Sequence, residues 1–130
     1  MTKEDKDLLL KDLCARLPYG IKIHAKYSDA GTNVEVEKDG ILSMVDNDTI
    51  IAFTSDDSNC YNYVGIHEVK PYLIPLCSMT KEQRKEYDEM YEKYKYSPTD
   101  IVDWYYRNHI DNRGLIIEGL AIDATRLNIY

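Results

Sequence analysis

Long apolar runs, clustered basic residues and paired cysteines are all missing from this 130-residue chain. No stretch approaches the roughly 18 consecutive apolar residues of a membrane helix, so no membrane span is expected. The charged opening MTKEDKDLLLKDL has no signal-peptide apolar region. Cys14, Cys60 and Cys77 are odd in number and far apart, which fits a reducing, cytoplasmic setting better than a disulfide framework. Without a stripe of Lys and Arg to neutralise phosphates, direct nucleic-acid binding is not expected. Phe and Trp occur once each, against twelve Tyr.

What is present suits one soluble domain, since a chain of this length with 44% hydrophobic residues can bury a core without a metal or disulfide staple. The formal net charge of −7 is unevenly spread: residues 21–79 carry four basic and nine acidic groups. The pattern predicts an α+β fold in three stretches: a helix within 1–20, a β region over 21–75 and a helical region over 80–130.

Leu9, Leu10, Leu13 and Leu17 recur at helical spacing from Thr2 onward, and Pro18 and Gly20 stop the helix. At IKIHAKY the period changes to two, with Ile21, Ile23 and Ala25 on one face and Lys22, His24 and Lys26 on the other. In NVEVEKDGILSMV, a three-residue loop at Lys38-Asp39-Gly40 sets Val36 opposite Leu42 and turns Glu35, Glu37 and Ser43 to solvent, so a bulged hairpin is expected there. Strands are predicted at 49–54 and 61–64. The run 66–75, with Pro71 and Pro75, reads as an edge strand or strap. About five such strands form an antiparallel sheet or a small SH3-like barrel.

Thr80-Lys81-Glu82-Gln83 is a capping-box pattern opening a helix to about Tyr94, and Ser97-Pro98 starts another that ends near His109. Both are expected to pack on the sheet. LIIEGLAID (115–123) returns apolar residues to the core as a helical turn or an extended piece.

Residues 87–106 hold six of the tyrosines and the tryptophan. Tyr87, Tyr91 and Tyr94 share one helix face, and Trp104 borders the face of the next helix. Packing is the commoner origin of such a stripe, because Tyr buries its ring while its hydroxyl reaches the rim. The alternative is a partner surface, since Tyr and Trp are favoured at interface hot spots.

Other chemistry is sparse. His24, His67 and His109 are far apart, no metal-ligand spacing occurs, and DNDTI (46–50) lacks most of a calcium loop, so neither a metal nor another cofactor is expected. Cys77 precedes a helix N-terminus, where a thiol can become reactive, yet no base or orienting group accompanies it in sequence. Glu35, Glu37, Asp46, Asp48, Asp56 and Asp57 form an acidic group. Alternate strand residues lie about 6.7 Å apart, so such a row could imitate DNA phosphates; solvated strand faces produce the same pattern.

At KDLCARLPYGIKI (11–23), EVKPYLIPLCSMTKEQRKEYDE (68–89) and DWYYRNHIDNRGLIIEGLAI (103–122) the chain resembles a group of short uncharacterised proteins encoded in prophages and mobile elements of gut anaerobes. The resemblance spans both ends, skips about 27–60, and implies a genomic setting without an activity, ligand or catalytic residue.

The expected function is therefore a non-enzymatic, protein-binding accessory module with Tyr87, Tyr91, Tyr94 and Trp104 as partner-binding candidates. Three alternatives stand beside it. One is an acidic inhibitor or DNA mimic of a nucleic-acid-binding protein, another a small enzyme built on His24, His67, His109 and Cys77, and the last a homo-oligomer formed through the tyrosine face.

Overall fold

The computed structural model describes residues 1–29, 31–46, 50–55, 60–94 and 98–130, with the side chain of Tyr94 also outside the description. The fold is α+β. Helix α1 (Lys3–Arg16) begins at a reciprocal cap in which the Thr2 hydroxyl accepts from Asp5 N and the Asp5 carboxylate accepts from Thr2 N. A 3-10 turn (Leu17–Tyr19) and Gly20 in the left-handed conformation, φ +67°, end it. Strands β1 (Lys22–Ser28), β2 (Glu35–Val45), β3 (Ile50–Ser55), β4 (Tyr61–Gly65) and β5 (Val69–Leu73) follow, then α2 (Lys81–Tyr94), α3 (Pro98–Arg107) and the short β6 (Ile122–Asp123). None of the described helices is long and apolar enough to cross a membrane.

The strands form one open sheet in the order β4-β3-β2-β1-β5-β6, antiparallel except for the β5–β6 pair. A 3-10 turn (Ile66–Glu68) carries the chain from β4 to β5. Those few residues span at most roughly 14 Å, whereas the same strands laid flat at about 4.8 Å spacing would hold β4 and β5 about 19 Å apart. The sheet must therefore curl. Of the two architectures expected, the sheet is the one found, since β4 and β5 do not pair to close a barrel.

The bulged hairpin expected at Lys38-Asp39-Gly40 is not formed: β2 runs unbroken through those residues for eleven positions. Gly40 lies between Ile23 and Ser55, and a Cβ there would collide with the Thr54 carbonyl oxygen and sit 2.7 Å from the Phe53 ring. The glycine serves close strand approach rather than a turn. The true β1–β2 connection is residues 29–34, closed by Asp29 N donating to Val34 O with Asn33 at φ +56°. A register shift between Leu42 and Met44 is the irregularity in the β2–β3 ladder. The strap expected over 66–75 is also corrected: β5 sits one strand in from the edge, with Pro71 opposite Ile23. Its missing donor costs no pair with β6, which reaches only Tyr72 and Leu73. The expected helical region stops at Arg107, beyond which residues 108–130 form turns and β6.

Leu9 and Leu13 of α1 meet Ile23, Ala25, Leu42, Ile51, Phe53, Val64, Val69 and Leu73 on the inner sheet face, and Leu115, Leu120 and Ala121 complete this core. LIIEGLAID thus supplies both of its expected forms, a turn at 115–119 and then β6. Helix α2 packs on α3, and α3 on α1.

Where α1 meets the later segment, a buried ionic group ties them. Arg16 donates from Nε to Asp12 Oδ2 (2.8 Å) and from Nη2 to Ile110 O (2.7 Å) and Asn112 Oδ1 (3.0 Å). Arg113 Nε lies 3.3 Å from Asp12 Oδ1, and both guanidinium groups stand over the Tyr106 ring. Asp111 accepts from Leu115 N and Ile116 N, folding the next turn back onto the core.

Gly40→Ala should lower the melting temperature by about 10 °C, because the new methyl meets backbone rather than a movable side-chain tip. A variant as stable as its parent in thermal denaturation would mean that β2 and β3 do not approach so closely at Gly40.

Candidate functional site

Period-two alternation turns Lys22, His24 and Lys26 of β1, Glu35, Glu37 and Asp39 of β2, and Lys70 and Tyr72 of β5 onto the outer face, where register pairs His24 with both Asp39 and Lys70, and Lys26 with Glu37. The sequence reading of β1 alternation, and of Glu35, Glu37 and Ser43 as exposed, agrees with this arrangement. His24 Nδ1 lies 2.8 Å from Asp39 Oδ1 and Nε2 3.2 Å from Glu37 Oε1; Tyr72 donates its hydroxyl to Asp39 at 2.6 Å. Lys26 Nζ is 3.5 Å from Glu35. The acidic row is therefore faced by Lys26 and His24 of β1.

Beside it is a cleft of about 350 Å³ lined by His24, Lys26, Glu37, His67, Glu68 and Lys70. Both ring nitrogens of His24 face carboxylates, so in this arrangement neither stands free as the general base such a cleft would need. No described Ser, Thr or Cys lines the cleft as a nucleophile, and among the described residues no three His, Cys, Asp or Glu side chains gather to hold a metal. Of the four residues proposed for an enzyme, the structure brings together His24 and His67. His109 stacks instead on Tyr130, and Cys77 is exposed in a 3-10 turn before α2.

Past Gly40 the outer face changes character. Register lines up Ile41, Thr54 and Tyr61 in one row across β2, β3 and β4, and Met44, Ala52 and Tyr63 in another, with Ile50 opposite Gly65. Tyr61 and Tyr63 are 62% and 64% exposed, and Ile41, Met44 and Ile50 each more than 40%. Ser43, Met44, Ala52, Tyr61 and Tyr63 line a depression of about 280 Å³. Sequence reasoning passed over these residues. YNYVG carried the signal, two tyrosines at strand spacing with no charge.

The tyrosines of the helices divide. Trp104 is 1% exposed and donates Nε1 to Glu86 Oε1 at 2.8 Å. Tyr87 lies between α2 and α3, its ring 5.5 Å from Trp104, 5.7 Å from Tyr105 and 6.2 Å from Tyr91. Burial, with Tyr87 second, pushes the Tyr105 hydroxyl up to about 12. Tyr91 is 49% exposed. The stripe is thus largely the packing of α2 on α3, with Tyr91 at its open end and Tyr94 on the same helix. The Thr80 capping box is present in both directions, Thr80 N to Gln83 Oε1 and Gln83 N to Thr80 Oγ1.

Of the acidic candidates, Glu35 and Glu37 are exposed on β2, and Asp46 is half-buried at its end. Asp48, Asp56 and Asp57 lie outside the described residues, as does the expected cap Ser97.

Compared with protein-family models, with curated proteins and with solved structures, the chain shows no match. Trp104→Ala should cost about 3–5 kcal/mol in urea unfolding, because it empties a packed site, whereas Tyr91→Ala should stay within about 0.5 kcal/mol. Equal losses in the two variants would mean that the stripe is one structural unit.

Proposed function

We propose that the chain is a non-enzymatic, protein-binding accessory module that docks its partner on the apolar half of the outer sheet face. The observation carrying this reading is the side-by-side exposure of Ile41, Met44, Ile50, Tyr61 and Tyr63. Single exposed apolar side chains are ordinary, but these five together expose on the order of 500 Å², the upper range for a monomer's largest patch. None is charged, so covering them removes water from apolar surface without stripping ions, and tyrosine is a favoured hot-spot residue.

The acidic-inhibitor reading has the exposure of Glu35 and Glu37 in its favour, but Lys26 and His24 answer those carboxylates. A small enzyme would use the His24–His67 cleft and would need its nucleophile from the substrate or from water. A prophage or mobile-element setting, which the resemblance suggests, suits an accessory binder.

The test is quantitative capture from a lysate of the cells that carry the protein, using the parent chain and three variants matched for melting temperature. Tyr61→Ala with Tyr63→Ala should weaken capture of the main partner by tenfold or more. Tyr91→Ala, and Glu35→Gln with Glu37→Gln and Asp39→Asn, should change it less than threefold. Loss confined to the acidic variant would replace this reading with the inhibitor.

A further inference from the structure

Segment 125–130 follows β6, and its last side chain ties it to the β1–β5 seam. The Tyr130 hydroxyl accepts from Lys22 N at 3.0 Å and donates to Tyr72 O at 2.8 Å, joining the backbones of β1 and β5. Its ring lies 3.7 Å from the His109 ring, nearly parallel at 13°. His109 closes α3 in the left-handed conformation, φ +58°, with its N–H on Tyr106 O and its carbonyl accepting from Ile74 N. Its Nδ1 is buried and has no partner.

We infer that this clasp is an acid-released latch: protonation of His109 unstacks Tyr130 and lifts segment 125–130 off the β1–β5 seam. A neutral imidazole stacks on a phenol at little cost. An imidazolium in the same place would need an acceptor for Nδ1–H and has none. From α1 the charged group facing the ring is the Arg16 guanidinium, which repels a second cation; Asp12, which could offset it, is turned to Arg16 and Arg113. From the segment itself the facing group is the Tyr130 hydroxyl, which burial holds well above its usual range, so it does not titrate in this interval. From β1 and β5 the clasp meets the backbone of Lys22 and Tyr72.

Burial, with Arg16 second, pushes His109 down to about 4 from its ordinary 6.5. The clasp is therefore fully present above pH 6.5 and is lost as pH falls toward 4, because the released ring takes up a proton that the stacked ring refuses. Between pH 7.5 and 5.0 the balance should move about thirtyfold toward release. Tyr72 feels the change directly, since its carbonyl is held by Tyr130 and its hydroxyl by Asp39 of the outer-face cleft.

The experiment is hydrogen exchange of the full chain at pH 7.5 and 5.0, corrected for intrinsic rates, following peptides over 122–130 and over the core strand 50–55. In the parent, opening of 122–130 should rise about thirtyfold at the lower pH while 50–55 stays protected. His109→Asn, which tolerates a left-handed backbone, should cut the rise below threefold. Tyr130→Phe keeps the stack but loses the hydroxyl bridge, so it should open more at both pH values with the rise intact. Equal protection of 122–130 at both pH values, an equal rise in His109→Asn, or parallel opening of 50–55 would overturn the latch.

Discussion

Arg16 has no exposed surface, so its charge must be met inside the protein, and much of the fold is arranged around meeting it. Asp12 answers one edge of the guanidinium from a turn away on α1; Ile110 O and Asn112 answer another from nearly a hundred residues further on. Two buried charges do not stabilise the protein relative to an apolar core, and burial pushes the Asp12 carboxyl above its usual range even with two guanidinium groups beside it. Losing one partner would leave the other buried and uncompensated. The seating of residues 110–113 against α1 brings Ile110 O, Asn112 and Arg113 to this pair, and it sets where α3 ends.

That seating also defines the outer face. With α1 and the returning segment 115–121 filling the inner side, the sheet has one surface left for solvent. β2 crosses all of it. Its first half carries Glu35, Glu37 and Asp39 against His24 and Lys26 of β1, and its second half carries Ile41 and Met44 in the same cross-strand rows as the tyrosines of β4, with β3 between. One long strand therefore supplies both a polar, ion-paired region and an apolar one. The glycine between them, Gly40, permits the close approach of Thr54 and Phe53 that keeps the strand continuous.

The concentration of tyrosine over 87–106 has a structural answer. An acidic, polar helix such as α2 has few aliphatic residues with which to dock, and Tyr87 inserted against Trp104 and Tyr105 gives it an aromatic seam. Among the described residues, the tyrosines with the greatest exposure are elsewhere, on the five-residue edge strand β4. Tyrosine thus serves packing in one element and surface in another, and residue type alone does not separate them.

Local signals were legible without the structure wherever the deciding contacts are near in sequence. The Thr80 cap, Pro98 at the start of α3, the stop at Pro18 and Gly20 and the alternation of β1 each depend on neighbours within a few residues. Gly40 was misread because a glycine after Asp has two uses, and choosing between them needs Thr54, a partner fourteen positions away. His24 looked like one polar residue in a strand, and only sheet register brought it to Asp39, Glu37 and Tyr72. The role of Tyr130 was equally closed, since its partners are Lys22, Tyr72 and His109. Sequence by itself determined the class of fold and most element starts, because propensity and capping act over one or two turns. Tertiary structure decided which strand stayed whole, which charges were answered and which aromatics met water, because burial and pairing are set by residues far along the chain.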